Sequence, residues 1–258
     1  MFKFFKNLYE YRELLKTNVK KEIRGKYKNS FLGVLWSFLN PLLQIAVYAF
    51  VFGKILNVSE DNYAVFICCG LIPWTFFCTA INRCAFTFVE NANIIKKVYF
   101  PREIIPISVV TAEGVNFFIS TVIIIGFVLF SGLGFTWHVV FYPLLFFVLY
   151  VFLVAVAFFV SSICVYVRDI QHFISIILQL MFYATPIAYS ATRVPNAFKW
   201  VVKVNPAAYV IEGFRDVFIY HQVPDLIGLG CLFAASALLF VIGYAVFNKL
   251  QKGFAEQL

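Results

Sequence analysis

Charge is scarce in this sequence. Only 13% of its 258 residues are Asp, Glu, Lys or Arg, whereas 62% are hydrophobic; soluble domains carry about 25% charged residues. A chain of this length with several apolar runs of spanning length has little room for a folded soluble domain. The composition therefore predicts a single all-α, polytopic membrane domain over residues 1–258.

Motifs for catalysis and for nucleotide binding are also missing. The chain has no GxxxxGK[ST] loop, no HExxH and no nucleophile elbow. Its three histidines, His138, His172 and His221, lie far apart in the sequence. We therefore expect no catalytic residue, no metal site and no ATP hydrolysis by this chain alone. An integral membrane enzyme stays open as an alternative, although no acidic cluster favours it.

The cysteines show no pattern of metal ligands or disulfides. All six lie in or beside apolar runs, and none is spaced with a histidine as metal ligands are. We expect them to be buried free thiols. The first thirty residues lack the short apolar core and cleavage site of a signal peptide, so the first span is expected to act as an uncleaved insertion signal.

Six apolar runs predict six transmembrane helices. They cover residues 32–54, 64–86, 104–131, 138–165, 171–190 and 226–248. An even number of crossings leaves both termini on the same side of the membrane, and residues 249–258 form a tail after the last span. That side would carry sixteen Lys and Arg and the other side five. The positive-inside rule then predicts cytoplasmic termini, and it accounts for the net charge of +8 without nucleic acid.

Residues 1–31 precede the first span, and residues 2–24 have helical periodicity. Phe4, Leu8, Tyr11 and Leu15 share one face, and most lysines lie off it. This pattern is typical of an amphipathic helix lying in the headgroup layer. A basic helix docked on protein is the alternative, and both can hold at once.

The passage from residue 22 to residue 44 is where the chain enters the membrane. Its basic residues end at Asn29-Ser30, and either of these two residues can cap the new helix. Trp36 is expected near the depth of the membrane–water interface. Asn40-Pro41 then interrupts the helix, which lipid tolerates when a neighbouring helix satisfies the freed carbonyl.

Two segments between the spans are more polar than the rest. Residues 90–103, ENANIIKKVYFPRE, predict a short helix that ends near Phe100 before Pro101, and they serve either as a docking element or as a plain loop. Residues 191–225 contain a moderately apolar piece that is too short to span. A re-entrant helical hairpin and an ordinary external loop both fit this second segment.

Glu113, with Asn116 one turn further on, is the clearest ionisable residue inside a predicted span. Such a carboxylate pairs within the bundle or lines a wet path. Because no proton relay accompanies it, a structural hydrogen bond to a neighbouring helix is the favoured interpretation.

Aromatic residues are abundant, with 33 Phe, 14 Tyr and 4 Trp. Buried tyrosines need a hydrogen-bond partner, and Tyr48, Tyr183 and Tyr189 lie within or near the ends of the first and fifth spans. A sugar ring presents apolar C–H faces and hydroxyl groups, so a path of aromatic rings with few charges suits a sliding glycan. We predict that these three tyrosines line such a path.

Three stretches carry a family resemblance. IRGKYKNSFLGVLWSFLNPLLQ, NANIIKKVYFPRE and VNPAAYVIEGFRD together resemble the transmembrane subunit of ATP-binding-cassette polysaccharide exporters, which move O-antigens, capsular chains or teichoic acids across the inner membrane. The resemblance covers nearly the whole chain. It implies a homodimer of six-helix subunits with two copies of a separate cytoplasmic ATPase, which would bind the ATP and Mg. This chain itself would hold no cofactor.

The resemblance also implies roles for particular residues. The residues expected to couple to the ATPase are Asn91, Asn93, Ile94, Ile95, Lys96, Lys97 and Tyr99. Those expected in an outer gate are Asn205, Pro206, Glu212 and Arg215. Arg24, Lys26 and Lys28 lie where a lipid-linked diphosphate would approach, and anchoring on anionic lipid is the alternative role for these bases.

The predicted function is that of a permease for a lipid-linked, O-antigen-like cell-surface polysaccharide in the bacterial inner membrane. A teichoic acid, lipid or drug exporter permease is the nearest alternative. An enzyme acting on lipid-linked sugars and a passive membrane scaffold are the alternatives from other classes.

Overall fold

The computed structural model describes residues 2–27, 31–56, 60 and 62–257, and the described residues form helices and turns without a strand. The α-helices, in chain order, are α1 (Phe2–Glu10), α2 (Arg12–Tyr27), α3 (Trp36–Tyr48), α4 (Tyr63–Glu90), α5 (Ala92–Lys97), α6 (Ile104–Phe130), α7 (Tyr142–Tyr166), α8 (Ile170–Ala184), α9 (Lys199–Val204), α10 (Pro206–Arg215), α11 (Leu226–Leu250) and α12 (Phe254–Gln257). The prediction of an all-α polytopic membrane protein is confirmed.

Within the described chain, five helical stretches are long and apolar enough to cross a membrane. They are Gly33–Ile55, Tyr63–Glu90, Ile104–Phe130, Trp137–Tyr166 and Leu226–Gly253. The first contains α3 with short helical turns at each end, and the others contain α4, α6, α7 and α11. They match five of the six predicted spans to within a few residues, except that the last continues to Gly253.

The fifth predicted span, 171–190, is helical over a shorter length than expected. α8 has 15 residues, about 22 Å at 1.5 Å per residue, against a hydrocarbon core of about 30 Å. It ends at Ala184 because Pro186 disfavours helical geometry at Thr185, whose backbone is extended. α8 is therefore a sixth apolar helix that stops part of the way across.

α4 is the central helix of the bundle. It packs against α3, α6, α7, α8 and α10, and 78% of its most apolar window is buried. Because these neighbours cover it on several sides, α4 lies in the middle of the bundle. By contrast, only 17% of the corresponding window in the first span is buried, which leaves α3 at the edge of the subunit.

α3 continues through Pro41, so the interruption expected at Asn40-Pro41 is wrong. Proline has no N–H, so the carbonyl of Ser37 loses its helical donor. The Ser120 hydroxyl of α6 donates to that carbonyl at 3.4 Å. A neighbouring helix thus satisfies the freed group, as expected for a proline inside the membrane.

The amphipathic segment is two helices rather than one, with a turn at Tyr11. Phe4 is buried, and its ring packs edge-on against Phe158 of α7 and against Phe240 and Tyr244 of α11. α1 is therefore docked on protein through Phe4.

Two further sequence expectations need correction. The helix in residues 90–103 ends at Lys97, not near Phe100, because the backbone at Val98 is already extended.

The cysteines are free thiols, but Cys231 is exposed on α11 rather than buried. Apolar surface on an outer span has lipid as its solvent, so the hydrophobic run did not require burial in protein.

The segment after α8 turns back into the bundle. Short helical turns lead to α9 and then to α10, which packs on α4, α7 and α11, and seven of the ten residues of α10 are buried. Asn205 caps α10 by accepting from the Ala207 N–H at 3.0 Å, and Pro206 occupies the first turn, where its missing N–H costs nothing. This burial favours the re-entrant arrangement over an external loop.

α7 and α11 approach closely at Gly243. A Cβ atom there would lie 2.8 Å from the Phe159 ring and 3.0 Å from the carbonyl oxygen of Ala155. Small residues permit such close helix contacts within membranes. Gly230, on the same helix, has open space where its Cβ would lie.

Gly243→Leu should therefore destabilise the subunit. Overpacking costs about 2 kcal/mol, and we expect a melting temperature in detergent several degrees below wild type. Gly230→Leu is the matched control and should melt like wild type. Equal melting temperatures for the two variants would contradict the close packing of α7 and α11.

Candidate functional site

A buried carboxylate lies at the junction of three helices. Glu113 of α6 is 2% exposed. Lys26 of α2 donates to it at 3.0 Å, and Arg83 of α4 donates at 2.7 Å. Arg83 also pairs with Glu22 of α2. We call Glu22, Lys26, Arg83 and Glu113 the ion network.

The helices dictate this arrangement. Glu22 and Lys26 are four residues apart, so they point from the same face of α2. Two acids and two bases give the ion network no net charge, which lowers the cost of burying it. Asn116, one turn along α6, also donates to Glu113, at 3.2 Å. Glu113 thus pairs within the bundle, as its position in the sequence predicted.

Two more hydrogen bonds fasten the N-terminal helices to residues 90–103. Lys21 donates to the side chain of Asn91 at 2.6 Å, and Asn7 donates to Glu103 at 2.8 Å. Asn91 in turn donates to the Thr87 carbonyl at the end of α4. Together with the ion network, these bonds join α1, α2 and the segment 90–103 to the bundle.

The predicted coupling residues separate into two groups. Asn91 and Ile95 are buried and hold the segment in place. The side chains of Asn93, Ile94, Lys96, Lys97 and Tyr99 are exposed. Val98, which the sequence analysis did not single out, is also exposed and lies between two predicted residues. We call Ile94, Val98 and Tyr99 the apolar docking surface; Tyr99 is 97% exposed.

The predicted entrance bases have different surroundings. Lys26 belongs to the ion network, whereas the side chain of Arg24 is exposed on α2. Lys28 lies outside the described residues. Two members of the ion network were not predicted from the sequence: Arg83, which pairs with Glu113, and Glu22, which pairs with Arg83. An arginine inside an apolar run was a usable signal for the first.

The outer segment contains a second buried charge. Arg215 of α10 is fully buried. It donates to Glu212 at 2.7 Å and to the Ile187 carbonyl at 2.8 Å, and its guanidinium lies 3.5 Å from the centre of the Phe66 ring. Burial raises the pKa of the Glu212 carboxyl, and the Arg215 charge offsets part of that rise. Arg215 thus joins α10, α4 and the turn after α8.

The other two predicted gate residues act at the start of α10. Asn205 caps the helix and also donates to the Thr185 hydroxyl at 2.6 Å, and Pro206 follows it. All four predicted gate residues therefore lie on α10 or at its start, and Asn205 and Arg215 both bond to the turn that follows α8.

The three predicted path tyrosines lie near one another. The Tyr48 ring packs against Phe182 at the end of α8, with ring centres 5.6 Å apart. Tyr183 is next in sequence and exposed, and the Tyr189 hydroxyl donates to its carbonyl at 2.9 Å. α3 and α8 thus meet at their C-terminal ends through aromatic side chains.

A stripe of uncharged polar residues runs along α3, α4 and α8, from the three tyrosines toward the other end of the bundle. Ser175 of α8 donates to Asn82 of α4 at 3.0 Å. The residues of this polar stripe are Asn40 and Gln44 on α3, Thr75, Thr79 and Asn82 on α4, and Gln171, Ser175 and Gln179 on α8. Their spacing of three or four residues keeps each set on one helix face. A cavity of about 410 Å³ lies beside this stripe, between α3, α4 and α6.

The part of the chain that is described holds no group of three His, Cys, Asp or Glu side chains that could bind a metal ion. The polar groups that it does gather are amides, hydroxyls and compensated ion pairs. Such groups can hold helices together or face a hydrated path.

Glu113→Ala should destabilise the attachment of α2. Removing one partner from a buried ion pair leaves the other charge uncompensated, and partial exposure of Lys26 and Arg83 limits the cost to about 3 kcal/mol. We expect a lower melting temperature and faster proteolysis within α2. Glu13→Ala is the matched control, since the pairs of Glu13 with Lys16 and Arg12 are both exposed. Similar proteolysis of both variants would contradict the role assigned to the ion network.

Comparison with known proteins agrees with this architecture. Residues 13–219 match the family described as ABC-2 type transporter. The chain is 36% identical to the O-antigen export system permease protein RfbA of Klebsiella pneumoniae, over 95% of this chain and 94% of the relative. It is 32% identical to the protein of the same name from Myxococcus xanthus, over the full length of both.

A more distant similarity, 20% identity over 90% of this chain and 91% of the relative, links it to the polysialic acid transport protein KpsM of Escherichia coli. The family match and the two relatives above 30% identity agree with the predicted class of transporter permease. The chain therefore belongs to the ABC-2 type transporter family, as a multi-pass membrane subunit and not an enzyme.

Proposed function

We propose that this chain is the permease of an ATP-driven exporter that moves a lipid-linked, O-antigen-like polysaccharide across the bacterial inner membrane. The observation that carries the proposal is the ion network, because it fastens α2 to the spanning helices α4 and α6. The bonds of Lys21 to Asn91 and of Asn7 to Glu103 then attach the segment 90–103 to α2 and α1. Because these cytoplasmic elements are bonded to the spanning helices, force applied to them would be transmitted to the bundle. The substrate is inferred from the relatives named for O-antigen export.

Membership of the ABC-2 family implies a partner ATPase, which binds the nucleotide. We propose that two ATPase subunits dock on a homodimer of this chain. The apolar docking surface supports a contact there, since Ile94, Val98 and Tyr99 are exposed. Lys96 and Lys97 would surround that contact with positive charge.

The N- and C-termini are proposed to be cytoplasmic, which is supported by the excess of Lys and Arg on their side of the membrane.

The translocation path is proposed to lie between two copies of the subunit, against α3 and α8. α3 buries little of its surface within one subunit, and the polar stripe would be unfavourable against lipid. Amides and hydroxyls facing water would pass a neutral glycan without a strong charge to hold it. Tyr48, Tyr183 and Tyr189 would then narrow the path at its outer end.

The outer gate is proposed to have a fixed part and a movable part. The buried Arg215 supports the assignment of α10 as the fixed part, because moving α10 would break its bonds to Glu212 and Ile187. The preceding residues 191–204 are mostly exposed and would move.

At the substrate entrance, the exposed Arg24 would make the first contact with the lipid diphosphate, joined by Lys28. Lys26 would have to exchange Glu113 for phosphate.

The function is tested by co-purification of the partner ATPase from mild detergent in the native host. Ile94→Asp and Tyr99→Asp should each lower ATPase recovery at least tenfold, because each places an unpaired charge in the apolar contact. The permease itself should remain folded, since both side chains are exposed.

Trp200→Asp is the matched control, since Trp200 is an exposed aromatic residue in the proposed outer segment, and it should recover the ATPase normally. Ile95→Asp would alter a buried side chain and is therefore not informative about docking. Full ATPase recovery with both Ile94→Asp and Tyr99→Asp would contradict the docking surface. Absence of any ATPase with the folded wild-type protein would contradict the exporter.

A further inference from the structure

The cavity beside the polar stripe lies within the spanning part of the subunit. α3, α4 and α6 form its walls, and its volume of about 410 Å³ falls within the range of roughly 300–1,000 Å³ typical of small-ligand sites. The ion network closes one end through Lys26 and Glu113, which both line the cavity. Trp36 lines it near the start of α3.

Two amides on α3 face this space. Asn40 and Gln44 are one turn apart, both line the cavity, and both side chains are exposed. Neither forms a side-chain hydrogen bond with any residue that the structure describes. An unsatisfied amide is costly at this depth, where lipid offers neither donor nor acceptor. Asn40 and Gln44 therefore require water or a polar ligand.

The opposite wall offers acceptors. The Thr75 hydroxyl donates to the Leu71 carbonyl at 2.8 Å, and the Thr79 hydroxyl donates to the Thr75 carbonyl at 2.8 Å. With their protons committed to α4 itself, both oxygens retain lone pairs that can accept from a ligand. The cavity thus combines amides, which donate and accept, with hydroxyl oxygens, which accept.

The charges at the cavity do not favour an ionic ligand. Glu113 is paired with Lys26 and Arg83, so a cation would have to displace two bases. An anion would have to separate Lys26 from Glu113. An acyl chain would leave the amides of Asn40 and Gln44 unsatisfied. A neutral ligand rich in hydroxyl groups satisfies the same amides without disturbing the ion network.

We propose that this cavity is a saccharide subsite that binds a neutral sugar unit of the transported polymer. Asn40 and Gln44 bond to its hydroxyl groups, Thr75 and Thr79 accept from it, and the Trp36 indole contacts an apolar C–H face. The inference rests on the proposed function, and it assigns a binding step to a single subunit rather than to the path between two copies. Each sugar leaves by exchanging these bonds for bonds with the rest of the polar stripe, which comprises Asn82, Gln171, Ser175 and Gln179.

Photo-crosslinking in polymer-producing cells tests the subsite directly. A diazirine amino acid at Gln44 should give permease that carries covalently attached sugar, detected by sugar analysis of the purified protein. The same group at Val122 of α6 is the matched control, because Val122 is exposed outside the cavity. Glycan recovery at Gln44 at least tenfold above Val122 would support the subsite. Equal recovery, or adducts of phospholipid or water alone at Gln44, would overturn it.

A second measurement separates the subsite from the proposed function. The permease–ATPase complex is titrated with lipid-linked polymer extracted from the producing cells, and ATP hydrolysis is followed. Asn40→Leu combined with Gln44→Leu keeps similar side-chain volume and should raise the half-maximal polymer concentration at least fivefold, with Val122→Leu like wild type. An unchanged half-maximal concentration would overturn the subsite while leaving the exporter intact. If polymer does not affect hydrolysis by the wild-type complex, both proposals fail.

Discussion

The structure depends on keeping one carboxylate charged inside the membrane region. Glu113 is almost fully buried, so it can be ionised only if bases approach it from neighbouring helices. Lys26 and Arg83 do so from α2 and α4, and Glu22 balances the second charge of the network. The requirement to compensate Glu113 therefore fixes where the N-terminal helices attach. It also explains why a helix at the membrane surface behaves as part of the bundle.

Rigid and weakly packed regions alternate through the subunit. α4 is enclosed by other helices, and Arg215 ties the re-entrant helix α10 to it at the outer end. α3 and α8, by contrast, leave much of their surface uncovered and carry polar side chains there. This combination suits the proposed permease, in which a fixed frame carries force while one face remains free to bind a second subunit and the cargo.

Local chemistry accounts for what the sequence could predict. Spans follow from the lengths of apolar runs, and the hydrogen bond from a neighbouring helix to the Ser37 carbonyl follows from the missing N–H of Pro41. The early end of α8 at Ala184 was also encoded locally, by Pro186, but the apolar run that continues past it concealed the signal. That Lys26 and Arg83 pair with Glu113 was not evident from the sequence, because they lie 87 and 30 residues away and are brought together only by packing.

The most direct test of the account is whether α2 moves with the bundle during the ATP cycle. Spin labels at Thr17 of α2 and Glu90 of α4, both exposed, would report the distance between these helices by pulsed electron paramagnetic resonance. The measurement compares the permease–ATPase complex without nucleotide and with ATP trapped. The account predicts the same narrow distance distribution in both states. A shift of several ångströms on ATP binding, with the ion network intact, would contradict it.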